Sequence, residues 1–184
     1  MESSGRSRRK KGGAGGGSSG NHCLTLHQPW ASLMVYGIKR VEGRSWATNH
    51  RGRLWIHAAS HEPSQEEIEQ VEQQYRQIYE AMEGVEEVKF PPKYPTSCLL
   101  GCVDIADCIS QERLQSHENL PESAKMESMS PYCFLAENPQ RLMLPFQLSG
   151  QHKIWVLDGE ATKAAKAALQ PVEGPCPIPF SSLV

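Results

Sequence analysis

This 184-residue sequence lacks a long apolar run, a paired-cysteine motif and a charge of one sign. No apolar stretch approaches the roughly 20 residues needed to cross a bilayer as a helix, so a helical membrane protein is excluded. No apolar signal-peptide core opens the chain, and secretion is not expected. Cys23, Cys98, Cys102, Cys108, Cys133 and Cys176 include no CxxC pair. In a chain not expected to be exported these thiols should stay reduced, most of them as small apolar fillers among strand residues. None has the spacing of a zinc ligand set, so neither metal nor cofactor is expected. There is no internal repeat.

The net charge of −2 conceals an asymmetry. Arg6, Arg8, Arg9, Lys10 and Lys11 oppose only Glu2 in residues 1–21, giving +4 there and −6 in the remainder. Residues 1–21 are polar and Gly/Ser-rich, a composition that buries no apolar area and is expected to be a disordered tail. Their basic cluster fits a nuclear-import signal, a non-specific nucleic-acid arm or a merely solvated tail.

What the sequence does have is concentrated between Leu24 and Ala59. Three of the four tryptophans (Trp30, Trp46, Trp55) lie there, with Lys39, Arg40, Arg44, Arg51 and Arg53 against one acid, Glu42. Aromatic rings interleaved with cations suit a polyanion with stackable bases. The same pattern also fits a hydrophobic core whose strands have basic outer faces.

Alternation at Leu24 and Leu26 predicts a strand over Cys23–His27, which Pro29 ends. Trp30, Leu33, Met34 and Ile38 then repeat at helical spacing up to a Gly37 cap, predicting a short helix that plugs an open end of the sheet. Strands follow at Lys39–Arg44 and Arg53–Ala59. Ser64 and Glu67 form a capping box for a longer acidic helix, with Ile68, Val71, Tyr75, Ile78 and Met82 on one face, running to about Glu87. Phe90–Ser97 reads as an extended loop and Cys98–Ile109 as a central strand with a bulge at Gly101. Gln111–Ser130 reads as polar and irregular, with room for one short helical turn. Three last strands are expected at Tyr132–Ala136, Leu142–Leu148 and Lys153–Asp158, separated by turns at Glu137-Asn138-Pro139 and Ser149-Gly150. A helix over Glu160–Leu169 has little to dock it, and Pro171–Val184 should be loose. The expectation is a mixed α+β fold: one small β-barrel over residues 22–158, with a C-terminal tail over 159–184.

The run LxxHQPWAxLMVYGIKRVEGRSW, followed by RGRLWIHAA, CLLGCVDIADC and KIWVLD, resembles the activating-signal-cointegrator homology (ASCH) domain over residues 22–158. The resemblance is finest to its coactivator-type members, whose upstream cysteine/histidine zinc module is not in this sequence. It implies a barrel of about six strands related to the pseudouridine-synthase and archaeosine-transglycosylase (PUA) fold. It also implies a cleft beside the first helix, DNA or RNA as partner with modest sequence preference, and residence in nucleus and cytoplasm. Proteins of a coactivator complex are further candidate partners, and the chain is expected to be a monomer.

The resemblance places Lys39, Arg40, Arg44, Arg51, Arg53 and Lys153 against phosphates. His27, Gln28, Pro29, Trp30 and Trp46 would line the cleft or stack on a base. On an extended segment Glu42 and Arg44 share a face, so Glu42 can orient Arg44, whereas Lys39 needs a bend to join them. Small bacterial relatives include amidohydrolases acting on acetylated cytidine, with a lysine activating a threonine three residues later. Here Lys39 matches the lysine but Glu42 stands at the nucleophile position, so no catalytic residue and no enzyme activity are expected. His57 on its strand and Trp155 on the closing strand read as packed structural residues. The rival to nucleic-acid binding is a protein-interaction scaffold docking through the acidic helix, Glu66 to Glu87.

Overall fold

The computed structural model describes residues 20–82, 85 and 87–184. The expected tail therefore lies outside the described residues, apart from Gly20 and Asn21. Those two are already tied down: the Gly20 carbonyl accepts from Trp55 Nε1 at 3.0 Å, and the Asn21 carbonyl from the Leu157 N–H at 2.8 Å.

Seven strands form one curled half-barrel sheet: β1 (His22–Leu26), β2 (Val41–Arg44), β3 (Gly52–Ala58), β4 (Cys98–Ser110), β5 (Tyr132–Gln147), β6 (Ile154–Val156) and β7 (Leu169–Pro171). Six of them follow the order β2-β5-β4-β3-β1-β6, and β7 joins β5 alone. Among the described residues, only β1 and β3 pair in parallel. The helix α1 (Trp30–Val35) fills the inside of the curl, where Ala31, Met34 and Val35 pack on Leu24, Leu54 and Phe134. Gly37 ends it at φ +68°, with its N–H on the Met34 carbonyl, as the sequence predicts.

The capping box at Ser64 and Glu67 is present at the start of α2 (Gln65–Glu80). This helix stops at Glu80 and does not run to Glu87. Its buried face of Val71, Tyr75 and Ile78 gains Tyr79, whose hydroxyl donates to the Ile38 carbonyl at 2.7 Å.

Three expectations fail, each for a tertiary reason. Tyr132–Gln147 is one strand, not two. Glu137 pairs with Asp104 and Gln140 with Cys102, so Asn138 (φ +51°) and Pro139 form a bulge opposite Val103. Proline has no ladder donor to lose there. The segment read as irregular holds α3 (Gln111–Ser116) and α4 (Glu122–Lys125), which bury Leu114 and Ala124.

The C-terminal segment is not loose. Asp158 caps α5 (Gly159–Ala167), which buries Ala165 among Cys23, Trp55, Trp155 and Leu157. Further on, β7 pairs with β5, and Ile178 and Phe180 enter the cluster of Val41, Leu114 and Leu135. A few apolar anchors in a proline-rich strap show no periodicity, so sequence pattern misses them.

Candidate functional site

The turn from α1 into β2, with β2 itself, carries three of the six expected cations, Lys39, Arg40 and Arg44, and the structure separates them. Lys39 is 5% exposed; its Nζ donates to the Val41 carbonyl at 2.6 Å and lies 3.3 Å from Glu42 Oε2. Glu42 Oε1 lies 3.4 Å from Arg44 Nη1, so one carboxylate holds both cations, and the expected orienting pair is present. Lys39 is thus an internal partner beneath the wall and not a surface phosphate contact.

Arg40 is a second correction. It is 3% exposed, and its Nε donates to Glu127 Oε1 at 2.7 Å and its Nη1 to the Cys176 carbonyl at 3.0 Å. Its guanidinium also lies over Tyr79. A buried arginine held by a carboxylate is not available to a polyanion.

Gln28 and Pro29 are corrected too. Both are buried. Gln28 Nε2 donates to Ser32 Oγ and to the Pro95 carbonyl, and its Oε1 accepts from the Ser32 N–H. That amide braces α1 against the proline-rich loop. Pro29 opens the helix.

His27 and Trp30 remain exposed beside them and, with Arg44 and Met129, line a shallow cavity of about 270 Å³. His27 and Arg44 also border a larger cleft of about 900 Å³, floored by Thr25 and His57 and rimmed by the β5–β6 loop with Lys153. No carboxylate lines this cleft. Beside it, Trp46 is half-buried, edge-on to Phe134 at 5.3 Å. The Arg44 guanidinium lies 5.4 Å and the Lys153 ammonium 5.8 Å from its ring centroid.

Arg51 and Arg53 are not in the cleft. Arg53 lies near the start of β3, about 13 Å of strand away from His57 at its other end, and Arg51 just before the strand is farther still. Arg51 is paired with Asp107 and donates to the Thr48 and His50 carbonyls. Arg53 lies in register with Asp104. Each faces an acid of β4, which lowers its value to a phosphate.

The cleft floor holds residues that sequence reasoning set aside. Trp155 Nε1 donates to Thr25 Oγ1 at 3.1 Å, which leaves the Thr25 hydroxyl proton for His57 Nδ1 at 3.2 Å. His57 Nε2–H then donates to the Leu148 carbonyl at 2.6 Å. Both ring nitrogens are engaged in a way that suits the neutral tautomer, and burial pushes the His57 pKa below its ordinary value. The loop closes directly over this pair. A Cβ on Gly150 would stand 2.6 Å from His57 Cε1 and 2.7 Å from Thr25 Oγ1, so only glycine permits the approach. The sequence carried a signal for this floor: Thr25 and His27 alternate with Leu24 and Leu26 in the strand expected over Cys23–His27. The pairing of Thr25 with His57 across β1 and β3 needed the sheet register.

Among the described residues, no cluster of three or more His, Cys, Asp or Glu is placed to hold a metal ion.

A model of the ASCH domain matches residues 24–146. Human Activating signal cointegrator 1 is 48% identical over 150 residues, covering 82% of this chain and 24% of its own length. The mouse protein of that name gives the same identity and coverage. The chain spans about a quarter of the length of these curated relatives. Among solved structures, the ASCH protein of Zymomonas mobilis is similar at 16% identity and a TM-score of 0.46, covering 83% of this chain and 97% of its own.

Proposed function

This chain belongs to the ASCH domain family, and from that premise we propose that it is a non-catalytic nucleic-acid-binding module of a coactivator-type protein, acting in nucleus and cytoplasm. The observation that carries the reading is the cleft of about 900 Å³, free of lining carboxylates, whose two cations Arg44 and Lys153 converge on the Trp46 ring. Two cations held on one indole form a preorganised phosphate clamp. Trp30, 38% exposed beside the smaller cavity, is the ring open to a base, and His27 stands between the two hollows. Phosphate contacts position a chain without reading it, so sequence preference is modest.

Lys39 supports the non-catalytic reading. Its ammonium is buried against Glu42 and the Val41 carbonyl, and no hydroxyl occupies position 42 to be activated.

The deciding experiment is a salt titration of binding to single-stranded and duplex DNA and RNA. It uses the full chain and a version lacking residues 1–18, which removes the basic tail. The expected result is sequence-tolerant binding by both. The slope of log affinity against log salt should fall by about 0.7–0.9 for each of Arg44→Ala and Lys153→Ala. If the shortened version binds no nucleic acid at low salt, the reading fails. Docking through the acidic outer face of α2 then takes its place.

A further inference from the structure

A second hollow, of about 400 Å³, meets the cleft at Gln147 but differs from it in chemistry. One wall is α1 with Tyr36, another is the proline-rich loop with Pro92 and Pro95, and the third is one face of β5. Arg141, Met143 and Pro145 lie at the strand period along it, and the buried Leu142 also reaches the hollow. Met143 is 62% exposed, so the groove presents an apolar rim to solvent. The volume falls within the roughly 300–1,000 Å³ of ordinary ligand sites.

Two features say what the groove accepts. Its only charged lining residues are Lys93 and Arg141, both cations. Neither forms an ion pair with a carboxylate of the described residues, and Arg141 lies over the Tyr36 ring at 5.3 Å. The groove is also preformed. The buried Gln28 amide ties Ser32 of α1 to the Pro95 carbonyl, fixing two of the walls relative to each other. A wall that needs no ordering on binding lowers the cost of association.

We propose that this groove docks a peptide segment of a protein partner, with apolar anchor side chains flanked by aspartate or glutamate. The anchors would fill the space among Tyr36, Pro95 and Met143, and the flanking acids would reach Lys93 and Arg141. Charge sets aside the chain's own N-terminal segment, whose Arg6 to Lys11 cluster is basic. A second copy's α2 is acidic, but its apolar residues Val71, Tyr75 and Ile78 are buried in its own core and offer no anchor. Nucleic acid is poorly suited to a mostly apolar hollow with two cations. The inference is independent of the cleft.

The test is fluorescence anisotropy on the full chain with three labelled 12-residue probes. The first carries two leucines and a phenylalanine flanked by four aspartates. The second has lysine for aspartate, and the third has serine for the apolar anchors. Only the first should bind. Lys93→Glu with Arg141→Glu should weaken it by about tenfold or more and make the lysine probe the better ligand. Met143→Asp should abolish binding of both. All these positions are at least partly exposed, so an unchanged melting temperature separates a lost surface from a lost fold. Absence of binding by the first probe overturns the proposal. So does binding that ignores the charge reversal, or a salt-sensitive oligonucleotide that competes at this groove. Loss of a dimer on Met143→Asp would assign the face to a second copy and also overturn it.

Discussion

Arg40 and Glu127 form a buried pair between the start of β2 and the loop after α4. Arg40 Nε donates to Oε1 at 2.7 Å, and the backbone N–H groups of Arg40 and Val41 donate to Oε2 at 2.6 and 3.0 Å. Glu127 thus anchors the loop that bears Ser128 and Ser130, and this loop packs so closely on Gly43 that a Cβ there would stand 2.4 Å from Ser128 Oγ.

Glu127→Gln keeps the shape of the side chain but leaves the Arg40 guanidinium uncompensated. It should cost about 3–5 kcal/mol in urea unfolding, the usual penalty for breaking one side of a buried pair. Replacing the cation as well, Arg40→Met with Glu127→Gln, removes the uncompensated charge while the amide oxygen at position 127 still accepts from the backbone N–H groups of residues 40 and 41, and should recover a large part of that loss. Equal destabilisation by the single and double variants would show that the charge pair is not what anchors the loop.

Trp46 is predicted to act through its cations. If it were the stacking ring, Trp46→Ala would lower affinity and leave the salt slope unchanged. With Arg44 and Lys153 resting against it, the substitution should also reduce the slope, by up to about 1.4–1.8 if both contacts are lost. Trp30→Ala should show the stacking pattern, weaker binding at constant slope. The melting temperature of each variant is the control, because Trp46 also packs on Phe134.

Arg51→Ala with Arg53→Ala should reduce the salt slope less than Arg44→Ala with Lys153→Ala. The first pair faces Asp107 and Asp104 at the far end of β3; in the second, Arg44 shares Glu42 with Lys39, and Lys153 has no ion pair among the described residues, in a cleft lined by no carboxylate. Parallel salt titrations of the two double variants decide between them. A larger effect from the β3 pair would move the nucleic-acid path out of the cleft.

Stability should decline on mild acidification. His57 and His50 both have folded pKa values below the ordinary one, burial being the leading cause for each. As pH falls through about 6.5 the unfolded chain takes up protons that the folded protein does not, so unfolding is favoured until the folded values are reached. Thermal melts between pH 7.5 and 5 should show the decline, and His57→Gln should flatten it. A melting temperature that rises on acidification would contradict this reading.

Native alkylation should mark few of the six cysteines. Burial pushes up the thiols of Cys23, Cys98, Cys102 and Cys133, that of Cys102 to about 12, while Cys108 and Cys176 are only half-buried. Iodoacetamide followed by mass spectrometry should label Cys108 and Cys176 first. Early labelling of Cys23 would mean that β1 opens.

The sequence by itself determined what local chemistry determines. Period-two alternation marked β1, Pro29 and Gly37 bracketed α1, and Ser64 with Glu67 capped α2. The QPWA corner and the EGR triplet were enough to place the chain in its family. Residue type also located the basic stretch, because charge and aromaticity are properties of single residues. Tertiary structure decided which of those residues face solvent. Arg40 and Arg44 are both arginines on one short segment, yet one meets Glu127 across 87 residues and is buried, while the other meets Trp46 and the cleft. Gln28 and His27 are adjacent, yet one braces a loop 67 residues away and the other lines two hollows. No sequence period encodes such pairings, because burial of a polar side chain depends on whether a distant partner arrives to satisfy it.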